Sequence, residues 1–108
     1  NLPRCPDCHG LIRPDVVWFG ESLPMGAIQD AHSCAQRSKV FLIIGTSGVV
    51  EPAASLPFIA RSAGAYLAEF NLEPTPLSDI CDECFHGEAD KLLPDLIEIL
   101  TKKKNISQ

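Results

Sequence analysis

The first residues in the chain that could do metal or redox chemistry are Cys5 and Cys8, with His9 directly after them. A Cys-x-x-Cys-His pattern is typical of three different sites: covalent haem attachment, half of a zinc site, or a thiol–disulfide redox pair. A structural zinc ion takes four ligands, so two thiols would supply half of such a site. The pattern by itself leaves all three interpretations open.

A second Cys-x-x-Cys pair, Cys81 and Cys84, lies far along the chain. Residues 9–80 separate the two pairs, whereas zinc ribbons place about 15–20 residues between theirs. Because the 5 cysteines are an odd number and no stretch of the sequence reads as a signal peptide, a disulfide framework is not favoured and we expect a reducing compartment. The remaining thiol, Cys34, stands among small apolar residues, so we expect it in the core.

Two polar turns follow strand-like runs. The sequence Gly45-Thr46-Ser47-Gly48 offers backbone N–H groups and hydroxyls suited to a phosphate or a ribose, and a tight turn capped by a hydroxyl is the simpler alternative. The sequence Asn71-Leu72-Glu73 offers an amide and a carboxylate, which commonly bind ribose hydroxyls at strand ends. An Asx-turn ahead of Pro74 is the alternative there.

Hydrophobic periodicity predicts the elements that must position these residues. The strand-like runs are 16–20, 39–45 and 65–71, and helical patterns separate them. We expect Pro24 in the first turn of the first helix, Gly64 at the C-cap of the second and Pro94 at the first position of the last. The order β-α-β-α-β-loop-α predicts a parallel sheet that binds ligands at the carboxyl ends of its strands.

The run 16–20 differs from the others because it is apolar on both faces. Such a run suits a buried core strand, or an extended segment that pairs with a substrate peptide by β-addition.

Composition excludes several classes of protein. The 108 residues carry a net charge of -5, so we expect no direct binding of nucleic acid, which needs a basic face. The basic run Lys102–Lys104 is expected to complement the dipole of a C-terminal helix. No apolar stretch approaches the roughly 20 residues of a membrane span, so we expect no membrane association. The first residue is Asn rather than Met, so we expect the natural N-terminus to lie upstream.

Three blocks of the chain, taken in order, resemble one family. They are CPDCHGLIRPDVVWFGE, GTSGVVEPAA and AEFNLEPTP, and they are similar to the C-terminal half of a sirtuin, an NAD-dependent protein-lysine deacylase. The resemblance runs from Cys5 to about Leu100. The form RPDVVWFGE is closest to the class III branch.

The resemblance implies an α/β fold with a Rossmann-like parallel sheet. Residues 1–13 would be the second half of a zinc-binding module, and 14–108 the C-terminal part of an NAD-binding domain. Cys5 and Cys8 would bind Zn2+ together with a pair outside this chain. The residues implied for NAD are Gly45, Thr46 and Ser47 near its ribose and phosphates, Asn71, Leu72 and Glu73 at the adenine ribose, and Ala89 at the adenine. Those implied for the acyl-lysine protein substrate are Val17, Phe19, Gly20 and Glu21.

The resemblance also implies that part of the catalytic and zinc-binding machinery lies outside this chain. The general-base histidine, the Gly-Ala-Gly phosphate loop and the first zinc pair of the family are all N-terminal to the matching blocks, so none of His9, His32 and His86 occupies the catalytic position. We therefore expect this chain to be a fragment that is inactive alone and that partners the missing N-terminal half of the domain. Glu51 stands where relatives often carry an aromatic residue.

Two other functions remain open at this point. One is a module that binds NAD or ADP-ribose without consuming it, and the other is a small structural domain in which zinc is held by Cys5, Cys8, Cys81 and Cys84. The expected location is the cytoplasm, or the mitochondrion in a eukaryote.

Overall fold

A parallel three-stranded sheet forms the centre of the protein, whose computed structural model describes residues 1–107. The strands are β1 (Val40–Ile44), β2 (Tyr66–Asn71) and β3 (Glu83–His86), in the spatial order β1–β2–β3. The α-helices are α1 (Met25–Arg37), α2 (Leu56–Ser62) and α3 (Ala89–Ile106). Short 3-10 helices at Ala53–Ser55 and Ser78–Ile80 precede α2 and β3.

The register of the sheet brings the ends of all three strands to one edge. Val40 of β1 lies beside Tyr66 of β2, and Ala68 of β2 lies beside Glu83 of β3, so the strands run in step. The α/β class and the parallel sheet are therefore confirmed, and the predicted strands 39–45 and 65–71 agree with β1 and β2 to within a residue.

The core lies between the sheet and the helices α1 and α2. It combines large side chains, Ile43, Leu67 and Leu77, with the small residues Ala35 and Ala60, which let the helices approach the sheet closely. Leu67 and Leu77 are almost completely buried, and each contributes about 2 kcal/mol of hydrophobic stabilisation.

Strand β1 has no neighbouring strand on its outer side among residues 1–107. Its Val40, Leu42 and Ile44 side chains are 59%, 43% and 43% exposed, whereas Ile43 between them is buried. The outer edge of β1 is therefore unpaired within the described residues, and one face of the strand is apolar and half-exposed.

The end of α2 agrees with the expectation for Gly64. Its φ is +88°, the Gly64 N–H donates to the Arg61 carbonyl at 3.0 Å, and the Ala65 N–H donates to the Ala60 carbonyl at 3.0 Å. This pair of bonds is the Schellman motif, in which a left-handed residue ends the helix.

The prediction of a strand at 16–20 is wrong. This segment joins no sheet, residues 19 and 20 form a turn, and Phe19 has 93% of its surface exposed. The reason is local: the Trp18 N–H donates to the Glu21 carboxylate at 3.1 Å, and the Glu21 N–H donates to the Trp18 carbonyl at 3.0 Å. The backbone groups that would pair with a neighbouring strand are therefore used within a turn.

Strand β3 was not predicted from the sequence, and it falls between the predicted strand 65–71 and the last predicted helix. It pairs with β2 in parallel, and the rings of Phe70 and Phe85 stack with centroids 4.9 Å apart. The 3-10 helix at Ser78–Ile80 brings the chain back beside β2, so the third strand of the sheet is Glu83–His86 and not 16–20.

Two further expectations are corrected. Pro94 lies inside α3 rather than at its first position, because the helix begins five residues earlier at Ala89. Cys34 is exposed, since it is Ala35 that faces the core from α1. The last turn of α3 does carry Lys103 and Lys104, as expected for its dipole.

Within residues 1–107, none of the helices combines the length and apolar character that crossing a bilayer requires. The division into 1–13 and 14–108 stays a prediction, and its last residue, 108, lies outside the described residues.

Candidate functional site

The turns after β1 and β2 are joined by the side chain of Asn71. Its Nδ2 donates to the Thr46 carbonyl at 2.7 Å, and its Oδ1 accepts from the Leu72 N–H at 2.9 Å. The Gly45 N–H in turn donates to the Phe70 carbonyl at 2.9 Å. The sequence prediction that Thr46 and Asn71 lie at the same edge of the sheet is therefore confirmed, and the Asx-type bond to Leu72 is present as well.

The turn that starts at Gly45 contains two glycines in the left-handed region. Gly45 and Gly48 have φ values of +62° and +69°, which favour glycine. The Gly48 N–H donates to Thr46 Oγ1 at 3.2 Å, so the hydroxyl caps the turn. The capped tight turn is therefore present, and the binding of a phosphate or ribose by its backbone at the sheet edge stays a prediction.

The third turn at this edge follows β3. The Gly87 N–H donates to the Asn71 carbonyl at 3.0 Å, and α3 begins two residues later at Ala89. The residues predicted for NAD, which are Gly45, Thr46, Ser47, Asn71, Leu72, Glu73 and Ala89, therefore come from three turns at one edge. Gly20 and Glu21 were expected at the end of a neighbouring strand, and that expectation is wrong because the segment before them is outside the sheet.

The segment Val16–Glu21, which we call the strap, is held in shape by Arg13. The guanidinium donates to both Glu21 carboxylate oxygens at 2.7 and 3.0 Å and to the Val16 carbonyl at 2.9 Å. It also lies 4.2 Å from the centre of the Trp18 ring, a cation–π distance. Bidentate pairing of this kind fixes geometry as well as charge.

The electrostatics of the strap follow from this pairing. The hydrogen bond from Arg13, and after it the bond from the Trp18 N–H, lowers the pKa of Glu21. The same contact raises the pKa of Arg13. Glu21 therefore stays ionised at neutral pH and keeps the turn closed.

The strap forms one wall of a groove of about 790 Å³. Opposite it lie the start of α1 and the segment Val50–Ala53 that follows the Gly45 turn. Along the strap, the backbone of Val16 and Trp18 is bonded to Arg13 and Glu21, whereas the structure shows no backbone bond for Val17 or Phe19. The backbone polar groups of Val17, which precedes the turn, and of Phe19, which lies in it, are therefore free to pair with another chain.

The Cys5–Cys8 pair lies in a tight knuckle closed by backbone hydrogen bonds. The Cys5 N–H donates to the Gly10 carbonyl at 2.9 Å, and the His9 N–H donates to the Cys5 carbonyl at 3.0 Å, with His9 at φ +57°. Hydrogen bonds from the backbone of Cys8 and then of Asp7 lower the pKa of Cys5. Two thiols in such a turn fit two of the four ligands of zinc.

Sequence reasoning missed two groups of residues. Arg13 organises the strap, and the signal was its eight-residue spacing from Glu21 with an aromatic residue between them. Glu69 is completely buried in β2, where its carboxylate accepts hydrogen bonds from the Thr75 and Ser78 hydroxyls. No local pattern marks Glu69, because the chain that buries it is the following loop.

Comparison with known proteins gives the same family three times. A sequence model described as the Sir2 family matches residues 1–52. An NAD-dependent protein deacylase of Pyrococcus furiosus is 48% identical over 98 residues, which cover 91% of this chain and 39% of that protein.

Solved structures agree in fold as well as in sequence. A mutant Sir2 homologue in complex with ADP-ribose superimposes with a TM-score of 0.87 at 40% identity, covering 96% of this chain and 42% of that one. A complex described as Sir2, a p53 peptide and NAD+ gives 0.78 at 37% identity, covering 90% of this chain and 40% of that one. The chain thus spans about two fifths of the length of the relatives it matches. Sequence and fold together show that this chain belongs to the Sir2 family.

Proposed function

We propose that the full-length protein is an NAD-dependent protein-lysine deacylase, which transfers the acyl group of an acyl-lysine to ADP-ribose and releases nicotinamide. In this proposal the described residues bind the cofactor and the substrate backbone, and the general-base histidine is supplied from outside them. Relatives named as NAD-dependent deacylases and neighbours solved with NAD or a peptide support this assignment.

The observation that carries the proposal is the hydrogen bond from Asn71 Nδ2 to the Thr46 carbonyl. It holds two polar turns of a parallel sheet side by side, at the edge where α/β folds bind nucleotides. With Gly87 bonded to Asn71 from the other side, three turns offer backbone N–H groups, hydroxyls and a carboxylate along one line. Such a line suits a dinucleotide, which has a ribose and phosphates to satisfy at successive points.

The groove beside the strap supports the substrate side of the proposal. The free backbone groups of Val17 and Phe19 suit an extended peptide added by β-pairing, and Gly20 and Glu21 close the turn at its end. The apolar side chains lining the groove, among them Met25 and Ile28, suit the aliphatic part of an acyl-lysine. We also propose that Cys5 and Cys8 are two ligands of a structural zinc ion.

The test is nicotinamide release by the full-length protein with acetyl-lysine and succinyl-lysine peptides. Asn71→Ala removes the two hydrogen bonds that hold the turns side by side, each worth about 1 kcal/mol, and the amide that we propose donates to the cofactor. The affinity for NAD should therefore fall about 10- to 30-fold. Asn105→Ala is the matched control, because Asn105 is exposed on the far end of α3, and it should leave the affinity unchanged.

Two outcomes would point elsewhere. Tight NAD binding with no nicotinamide released from any acyl peptide would favour a non-catalytic NAD- or ADP-ribose-binding module. Equal affinities for Asn71→Ala and Asn105→Ala would overturn the assignment of the sheet edge to the cofactor.

A further inference from the structure

Two thiols and one carboxylate converge beneath the loop that joins β2 to β3. One ligand atom from each of Glu69, Cys81 and Cys84 lies within 4.8 Å of the other two. Glu69 and Cys84 are register partners on β2 and β3, so their side chains leave the same face of the sheet. Bound tetrahedrally, thiolate and carboxylate ligands of zinc are about 3.5–3.8 Å apart, so shifts of about 1 Å close the cluster around an ion.

The Glu69 carboxylate lacks a cationic partner among residues 1–107. Its side chain has no exposed surface, and the ion pairs of the described residues involve other acids. The Thr75 and Ser78 hydroxyls bond to its two oxygens, but neutral donors offset only part of the cost of burying a charge. A buried carboxylate beside two thiols is the environment that a bound cation would complete.

The segment that carries the thiols is already fixed. Asp82, between the two cysteines, accepts from the Leu67 N–H at 2.8 Å and from Arg61 at 2.7 Å, and its own N–H donates to the Leu67 carbonyl at 2.8 Å. Binding therefore requires little ordering of the backbone, and Cys81 and Cys84 are only partly buried, so an ion can enter.

We propose that Glu69, Cys81 and Cys84 bind one divalent metal ion, expected to be Zn2+, at a site separate from the Cys5–Cys8 knuckle. Two thiolates and a carboxylate suit Zn2+, and water would fill the fourth position. On binding, the two thiol protons pass to solvent as the sulfur–metal bonds form, and no electrons are transferred.

A disulfide between the same cysteines is the main alternative use of this cluster. Both cysteines are free, and their thiols donate to the backbone carbonyls of Leu77 and Ser78 at 3.2 and 3.6 Å. The buried Glu69 carboxylate is the third group of the cluster, and it is a ligand for a metal ion but has no role in a disulfide. The geometry therefore favours the metal over the disulfide.

The test compares the zinc content of the full-length protein with that of three variants. Cys84→Ser and Glu69→Gln should each bind one equivalent less than the wild type, whatever zinc the Cys5–Cys8 pair holds. Cys34→Ser, which removes an exposed thiol on α1, is the matched control and should keep the full content. Titration with Co2+ should show thiolate-to-metal absorption that is weaker in Cys84→Ser, and Glu69→Gln should bind Co2+ more than about 10-fold less tightly.

If Cys84→Ser does not fold, as judged by circular dichroism, Glu69→Gln decides the matter because it keeps the size of the side chain. Unchanged zinc content and Co2+ affinity in Glu69→Gln would overturn the site. Loss of one equivalent of bound zinc in Cys34→Ser would also overturn the site, since it would show that zinc binding does not depend on the position of the thiol. None of these readouts depends on deacylase activity.

Discussion

The turn after β1 contacts the core at Gly48, so a methyl group added at this position should disturb both the turn and the core packing. The φ of Gly48 is +69°, and a Cβ at this position would stand 2.7 Å from Leu77 Cγ and 2.8 Å from Leu77 Cδ1. Leu77 is 2% exposed and has little room to move. Gly48→Ala should therefore lower the free energy of unfolding by about 1–2 kcal/mol for the left-handed conformation, and by about 1–3 kcal/mol more for overpacking.

The chain offers a matched control at the other glycine of the same turn. Gly45 has a φ of +62°, but a Cβ there would meet nothing within 4 Å. Gly45→Ala should therefore carry only the conformational cost. The difference between the two variants isolates the contact with Leu77, which we expect to be about 1–3 kcal/mol.

Urea unfolding of the full-length protein, followed by circular dichroism, measures both variants. A third variant sharpens the test: Leu77→Ala alone should cost about 2–5 kcal/mol, but less when combined with Gly48→Ala, because the new methyl group then occupies vacated space. Equal destabilisation by Gly48→Ala and Gly45→Ala, or strict additivity with Leu77→Ala, would refute this reasoning.

Two further predictions concern stability. The hydrogen bond from Arg61, followed by that from the Leu67 N–H, lowers the pKa of Asp82 below its ordinary value of 3.8. A carboxyl with a lowered folded pKa stabilises the protein above about pH 4, and this contribution is lost as the pH falls through the folded pKa. Asp82→Asn should therefore have a lower free energy of unfolding than the wild type at pH 7, and this difference should become smaller toward pH 3 in urea titrations. A difference that does not change with pH would contradict the prediction. Pro94 leaves the Asp90 carbonyl of α3 without its helical N–H partner, so Pro94→Ala should stabilise by about 1–3 kcal/mol, and an unchanged or lower thermal midpoint would contradict it.

Much of the sheet and of the cofactor edge follows from local sequence. β1 is a continuous apolar run that ends at Gly45, and β2 is a largely apolar run that ends at Asn71. Runs of this length and composition predict strands of a parallel sheet. Once both are placed in a parallel sheet, their carboxyl ends must lie at one edge, so the neighbourhood of Thr46 and Asn71 follows without any long-range information.

The rest depends on contacts that no short window contains. β3 has only four residues, and it is a strand because it pairs with β2 and stacks Phe85 on Phe70. The strap has an equally apolar sequence but no sheet partner, and the Arg13–Glu21 pair bends it into a turn instead. Glu69 looks like a polar residue of an alternating strand, and only the return of the 72–81 loop encloses it.

The open side of β1 has a consequence for handling the protein. Wherever that side is left uncovered, it offers unpaired backbone groups flanked by the half-exposed, uncharged side chains of Val40, Leu42 and Ile44. Such an edge is a template for strand-to-strand aggregation. This aggregation would be detected as light scattering that increases with protein concentration and that Leu42→Lys suppresses.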